Sequence, residues 1–367
     1  MSPASSRSVP RPRVLSGMRP TGKLHLGNYM GALNNWVHLQ QDYDCYFFIA
    51  DLHALTTDYA DTSQLHENIE DVALDFLAAG LDPGRCVIFK QSEVMQHAQL
   101  FALFSMITPV PWLERVPSYK DQQEQLTEKD LNTYGFLGYP LLQAADILLY
   151  KPDFVPVGAD QVAHVELTRE VARRFNSLYQ RRFDSPEQVL RESSKAVREH
   201  STAEEFAEKF VHVLPEPKVL LTPSPKLPGL DGRKMSKSYN NTIMLSEPEA
   251  DIRAKLKTMV TDPARIRRSD PGNPDVCPVF DLHKVFSSEE TQARAAEGCR
   301  TAGIGCIECK SWVADAIVEK IAPIREHRLD LETRPQVIQD VLANGRERAI
   351  KRAQQTLDEV QRAIGIS

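Results

Sequence analysis

The sequence predicts an α/β protein, a Rossmann-like doubly wound parallel sheet followed by an all-helical C-terminal domain. Three observations predict it. Short continuous apolar runs, Val14 to Gly17, Asp44 to Ala50 and Cys86 to Phe89, alternate with stretches of helical period, and this β-α-β order requires parallel strands joined by crossover helices. Polar residues follow the strand runs, at the end where open α/β sheets place their ligands. From Glu247 onward only helical periodicity remains.

The elements follow in order. Met1 to Pro12 is rich in Ser, Pro and Arg and reads as a disordered tail, so domains are expected at 13–245 and 246–367. After the first strand, Gly17 to Gly22 is a loop, and Leu24 to Gln40 carries Leu26, Met30, Leu33 and Val37 at helical spacing. His25, Gly27 and Asn28 therefore fall on a helix's first turn, where amides and dipole favour an anion. Asp51-Leu52-His53 leaves the second strand. Asp61 to Gly80 is a helix stopped by glycine, and a third strand and a helix over Glu93 to Ile107 come next. Trp112 to Arg115 is helical, and Lys120 to Thr133 is polar.

Pro140 suits the first turn of the next helix. Tyr139, Gln143 and Asp146 then share one side at spacings of four and three in apolar company. A buried carboxylate needs a partner, either another part of the fold or a ligand amine or indole N–H. Phe154 to Gly158 is a strand, and Gly158-Ala159-Asp160-Gln161 opens a helix to Phe175. Residues 184–212 are a charged helical insertion, and Val219 to Leu221 is the last strand. Helices follow over Ala250 to Val260, Val279 to Phe286, Glu290 to Thr301, Ser311 to Ile324 and Pro335 to Ile364.

The basic loop Gly232-Arg233-Lys234-Met235-Ser236-Lys237-Ser238 has two lysines three apart, hydroxyls and a leading glycine, the composition of a phosphate clamp. Pro20-Thr21-Gly22-Lys23-Leu24-His25-Leu26-Gly27-Asn28 is its candidate other half. The formal charge of −6, with 44 Lys and Arg against 50 Asp and Glu, argues against non-specific coating of nucleic acid and leaves room for a local basic face. No apolar run reaches the roughly 20 residues of a membrane span, so a cytoplasmic protein is expected. Cys277-x21-Cys299-x6-Cys306-x2-Cys309 could hold structural zinc or a [4Fe–4S] cluster, or could be unpaired core thiols.

These pieces together resemble the class I aminoacyl-tRNA synthetases, and among them the bacterial-type tryptophanyl-tRNA synthetases. His25-Leu26-Gly27-Asn28 is similar to their HIGH signature and Lys234-Met235-Ser236-Lys237-Ser238 is their KMSKS signature. Leu141 to Tyr150, Val155 to Gln161 and Glu166 to Glu170 make the likeness more specific.

The resemblance implies activation of L-tryptophan by ATP with Mg²⁺, release of pyrophosphate, and transfer to tRNA(Trp) by a homodimer. It implies that Lys234 and Lys237 stabilise the leaving pyrophosphate while His25, Gly27 and Asn28 hold phosphates and adenine. Arg19, Pro20 and Thr21 would line the nucleotide site with Met235, Ser236 and Ser238, and Gly158, Ala159 and Asp160 would contact ribose or substrate. Asp146 would accept the indole N–H in a pocket with His53, Tyr139, Gln143 and Gln161. Many tryptophanyl enzymes carry methionine where this chain has Gln143. Tyrosyl enzymes carry the Tyr-x3-Gln-x2-Asp pattern that Tyr139, Gln143 and Asp146 satisfy. The cysteine pattern resembles a C-terminal motif of the tryptophanyl subset that binds [4Fe–4S]. A tyrosyl enzyme, an inactive RNA-binding relative and a small-molecule nucleotidylyltransferase are the alternatives.

Overall fold

The computed structural model describes residues 11–117, 119, 130–179, 212–221 and 227–366. All but the last residue of the 184–212 insertion, most of the N-terminal tail and most of the polar stretch after Lys120 lie outside them.

Strands β1 (Arg13–Met18), β2 (Asp44–Ile49), β3 (Cys86–Lys90), β4 (Phe154–Val157) and β5 (Lys218–Leu221) form one parallel sheet in the order β3-β2-β1-β4-β5. The order reverses between β1 and β4, so the C-terminal ends of these two strands part and open a crevice. β2 is buried from Cys45 to Ile49, as expected of a central strand covered on both faces.

Alternate strand residues feed two cores. Val14, Phe47, Ile49 and Ile88 pack on one face with Trp36, Phe76, Ile243, Leu245, Ile317 and Ile321. Leu15, Tyr46, Phe48, Val87 and Phe89 pack on the other with Phe104, Leu148, Val171 and Leu357. Both cores contain residues from beyond position 245.

Helix α1 (Leu26–Asn28) passes through a π turn (Tyr29–Leu33) into α2 (Asn34–Leu39). This corrects the expectation of an unbroken helix burying Met30 and Val37. The buried residues after Leu26 are Tyr29, Leu33 and Trp36, which keep a period near 3.6, so the inward face falls one residue before the expected Met30 and Val37. Trp36 then stacks on Phe47 with centroids 4.8 Å apart.

Next come α3 (Asp51–Asp58), α4 (Leu65–Ala78), α5 (Gln96–Ser105) and α6 (Val110–Glu114). Gly80, at φ +107, follows α4 in a conformation that favours glycine. Helix α7 (Tyr134–Tyr150) starts six residues before Pro140. The Thr133 hydroxyl caps it by accepting from the Phe136 N–H at 3.2 Å, a stronger start signal than the proline. Helix α8 (Val162–Tyr179) follows a single 3₁₀ turn, Ala159–Gln161.

The C-terminal helices are α9 (Glu249–Thr258), α10 (Pro278–Phe286), α11 (Glu289–Arg300), α12 (Cys306–Glu332) and α13 (Pro335–Ile364). α12 begins at Cys306 rather than Ser311 and continues through Pro323. α13 lies against β3 so closely that a Cβ on Gly345 would sit 1.7 Å from the Ile88 carbonyl oxygen. Gly→Ala inside a helix ordinarily stabilises by about 1 kcal/mol. Gly345→Ala is expected instead to lower stability by about 1–3 kcal/mol in urea unfolding, because the helix must move off the strand; unchanged or increased stability contradicts this contact.

Candidate active site

The crevice at the β1/β4 divergence holds a cavity of about 370 Å³. Ser16, Gly17 and Arg19 approach it from β1, Pro156 and Gly158 from β4, and His53, Tyr139, Gln143, Asp146, Gln161 and His164 from the helices. Gly17 is required here because a Cβ would meet the Phe48 ring at 2.4 Å.

Asp146, on α7, is fully buried. Its Oδ2 lies 2.8 Å from His53 Nε2, and Gln91 Nε2 donates to Oδ1 and Oδ2 at 2.8 and 2.9 Å. His97 Nδ1 is 2.6 Å from Oδ1, with its Nε2 2.9 Å from the Tyr150 hydroxyl. Burial would push this carboxyl up, but the adjacent His97 and the bonds from His53 and His97 prevail and hold it below the usual carboxylate range. These contacts use the four lone-pair sites of a carboxylate. Only His53 among the three partners is reached from the cavity.

Gln91 and His97 are missing from the sequence reading. Gln91 follows β3, so the rule that polar residues collect at strand ends could have found it. It also bridges the layers, since its Oε1 accepts from the Leu52 N–H at 3.2 Å. His97 is an ordinary residue of an apolar helix, without a local signal. Gln143 Oε1 lies 2.7 Å from Nδ1 of His164, a second residue that sequence reasoning did not single out.

Beside this cavity the two basic elements meet. Residues 24–26 pair with 243–245: Leu26 N–H donates to Ile243 O and Leu245 N–H to Leu24 O, both at 2.9 Å. His25 caps α1, its Nδ1 accepting from the Asn28 N–H at 3.3 Å while Asn28 Oδ1 accepts from the His25 N–H at 3.1 Å. Burial, reinforced by Lys237 and Lys234, lowers His25 to about 4, so the ring is neutral at neutral pH. A Cβ on Gly27 would strike this ring at 2.9 Å.

Met235 is the buried anchor of the basic loop, and its N–H donates to Leu227 O at 2.9 Å. Lys234 is exposed, while Lys237 reaches across and donates from Nζ to Thr21 O at 2.7 Å. Asn241 holds the loop from behind. Its Oδ1 accepts from the Ser236 N–H at 2.8 Å and its Nδ2 donates to Asp231 and to Lys234 O. Asn241 also lacks any signal in the sequence. Arg19, Pro20, Thr21, Asn68 and Ser238 line a neighbouring cleft of about 720 Å³. Arg19 borders both spaces and donates to Asp58 at 3.0 Å. Gly158 and Ala159 stand at the end of β4, where the α8 segment begins.

Cys277 precedes Pro278, which lies 3.2 Å from where a Cβ on Gly232 would stand, and burial, then Cys277, Cys299 and Cys306, push the Cys309 thiol up to about 12. Arg265 Nη1 lies 3.9 Å from Cys299 Sγ, and the buried Lys310 is drawn by Cys306, Cys277 and Cys309. Among the described residues, no three His, Cys, Asp or Glu side chains are grouped as the ligands of a metal ion. The zinc and iron–sulfur expectations thus gain no ligand cage here.

Residues 8–321 match the family described as class I tRNA synthetases (W and Y). The chain belongs to that family. A tryptophan-tRNA ligase of Ralstonia nicotianae is 48% identical, the match covering 97% of this chain and 98% of the relative. A tryptophan-tRNA ligase of Thermotoga maritima is 49% identical over 96% of this chain and 99% of that protein. The crystal structure of a tryptophanyl-tRNA synthetase from Campylobacter jejuni, complexed with ADP and tryptophan, superposes with TM-score 0.78 at 30% identity, covering 96% of this chain and 99% of that one.

Burial also pulls Lys237 down to about 8, against the opposing attraction of Asp75 and Asp71. Only the neutral amine reacts with acetic anhydride. Labelling of Lys237, followed by peptide mass spectrometry, is expected to rise with pH around a midpoint near 8; a midpoint near an ordinary lysine's 10.5 contradicts the buried placement.

Proposed function

We propose that this chain is a tryptophan-tRNA ligase that activates L-tryptophan with ATP in the β1/β4 crevice and passes it to tRNA(Trp). The observation that carries this reading is the pairing of residues 24–26 with 243–245, which brings the His25 turn and the Lys234–Ser238 loop together beside a cleft that shares Arg19 with the cavity over Asp146. The relatives that match nearly the whole chain favour tryptophan over tyrosine.

The amino-acid carboxylate is already ionised and needs no base. One of its oxygens attacks the α-phosphorus of ATP, a new P–O bond forms, and the bond to the β-phosphate oxygen breaks. Pyrophosphate leaves with Mg²⁺, which enters as part of the ATP substrate. Catalysis then rests on placement and on stabilising charge at the leaving group. Lys234 and Lys237 supply that charge, and Lys237 exchanges Thr21 O for phosphate oxygen. Neutral His25, with Gly27 and Asn28, borders the phosphates and adenine without adding a proton. Arg19, Pro20, Thr21, Met235, Ser236 and Ser238 border the nucleotide, with Gly158, Ala159 and Asp160 on its ribose side.

In the amino-acid pocket the indole N–H takes the place of His53 at Asp146 Oδ2, while Gln91 and His97 keep the carboxylate in position. Tyr139, Gln143 and Gln161 form the remaining walls. A hydroxyl of the tRNA terminal ribose next attacks the aminoacyl carbonyl and AMP departs. A tRNA-charging role fits a cytoplasmic protein, and the family resemblance implies a homodimer. The tRNA-binding surface falls to the helical region 246–367, after a catalytic region 13–245.

Tryptophan-dependent exchange of pyrophosphate into ATP is expected, with tyrosine giving at most about 1% of that rate, because the phenol hydroxyl is placed differently from the indole N–H and a pocket shaped for indole leaves the buried acceptor poorly paired. Exchange driven by tyrosine alone, or none with either amino acid, overturns the assignment.

The cysteine cluster carries a second, independent reading. Cys277, Cys299, Cys306 and Cys309 would hold a [4Fe–4S] cluster in the subset described above. The donor set supports it: Cys306 and Cys309 share the first turn of α12, Arg265 Nη1 lies 3.9 Å from Cys299 Sγ, and Lys310 follows Cys309, two cations that would offset the negative charge of a thiolate-bound cluster. Its bound cluster would serve as a structural staple near the tRNA-binding helices. Anaerobically purified protein is expected to be brown with about four irons per chain; colourless, iron-free protein rules the cluster out.

A further inference from the structure

Among the described residues Arg328 is the most deeply buried arginine or lysine, only 2% exposed, and it belongs to α12 rather than to the sheet domain. Its Nη1 donates to Asp75 Oδ1 and, at 3.1 Å, to Asp71 O. Nη2 donates to Asp71 Oδ1, and Nε to Glu332 Oε1 at 2.9 Å. Asp75 is itself fully buried on α4, and its other oxygen, Oδ2, accepts from the Leu24 N–H at 2.7 Å. Leu24 immediately precedes His25.

The same two carboxylates face the catalytic loop. Asp75 and Asp71 both attract Lys237, whose ammonium rests on Thr21 O, three residues before Leu24. Gly22 lies between them at φ +92, and a Cβ there would be 3.5 Å from Lys237 Nζ. One cation, Arg328, bonds both carboxylates directly, and a second, Lys237, rests on the carbonyl three residues before the amide that Asp75 holds.

We infer that Arg328 is a positioning residue for amino-acid activation: it neutralises the Asp71–Asp75 pair so that Lys237 can leave Thr21 for phosphate, and it fixes Asp75 under the amide that starts the His25 turn. With Arg328 absent, Lys237 alone would balance two carboxylates and would be held back from the nucleotide. The inference rests on the synthetase reading above and gives the C-terminal region a part in the activation step itself, separate from any contact with tRNA.

The test is a double-mutant cycle on tryptophan-dependent exchange. Arg328→Gln is expected to lower kcat about tenfold with KM for tryptophan within about twofold, the signature of a lost transition-state contribution. In a Lys237→Ala background the same substitution is expected to cost less than about twofold, because its effect runs through Lys237. Adding Asp71→Asn to Arg328→Gln is expected to recover most of the lost rate, which a purely structural role would not do. An undiminished loss in the Lys237→Ala background, or a raised KM for tryptophan at unchanged kcat, overturns the role of Arg328. If Arg328→Gln does not fold, the cycle is run with Arg328→Lys, whose ammonium cannot bridge both aspartates, and the same outcomes decide. Absence of tryptophan-dependent exchange in the unaltered chain counts against the synthetase reading, whereas additive losses in an active chain count against Arg328 alone.

Discussion

The rest of the site depends on one short antiparallel stitch, the two main-chain bonds that join Leu24 and Leu26 to residues 243 and 245. It brings together segments more than two hundred positions apart and fixes the mouth of the β1/β4 crevice between them. Neither half is long enough to order itself. Each instead inserts apolar residues into one core, Leu24, Leu26 and Leu33 from one side and Met235, Ile243 and Leu245 from the other. The entropy of closing so long a loop is met by the burial of these side chains. Lys234 then occupies the exposed edge of this seam, and Lys237 is half-buried against Thr21.

Two buried carboxylates show how such a fold manages charge. Asp146 lies beneath the amino-acid cavity and Asp75 beneath the phosphate-side loop, and both are fully buried. Neither is sustained by a lone ion pair. Asp146 is surrounded by His53, Gln91 and His97, and Asp75 by Arg328 and the Leu24 amide. Removing one partner of a buried pair costs about 3–5 kcal/mol, because the remaining charge is stranded. The partners come from α3, the β3 end and α5 in one case and from α12 in the other, so each carboxylate ties several elements to the same side of the sheet. The difference between them is access. His53 borders the cavity and can yield to a ligand, whereas Arg328 is sealed.

Much of the architecture was legible in the chain. Continuous apolar runs separated by helical periods specify a parallel sheet wherever they occur, and the five strand runs appear where those runs stand. The long C-terminal helix at Pro335–Ile364 was readable from its period and its leading proline. Local signals failed where two of them competed or where backbone geometry departed from the regular period. Thr133 outweighed Pro140 as a helix start, and along the first helical segment Tyr29 and Trp36 rather than Met30 and Val37 turned inward.

For the site, the sequence by itself determined the types of chemistry available: a Gly-led pair of lysines, a His-Leu-Gly-Asn turn, and polar residues at the ends of strands. Those follow from spacing along one short stretch of chain. Only the tertiary structure decided which distant groups control them. Gln91 and His97 fix Asp146, His164 pairs with Gln143, Asn241 holds the lysine loop, and Arg328 from the far helix balances Asp71 and Asp75. No periodicity announces these residues, because burial of one polar atom is satisfied by whichever partner the fold carries into a hydrogen bond's reach, and that reach is measured through space.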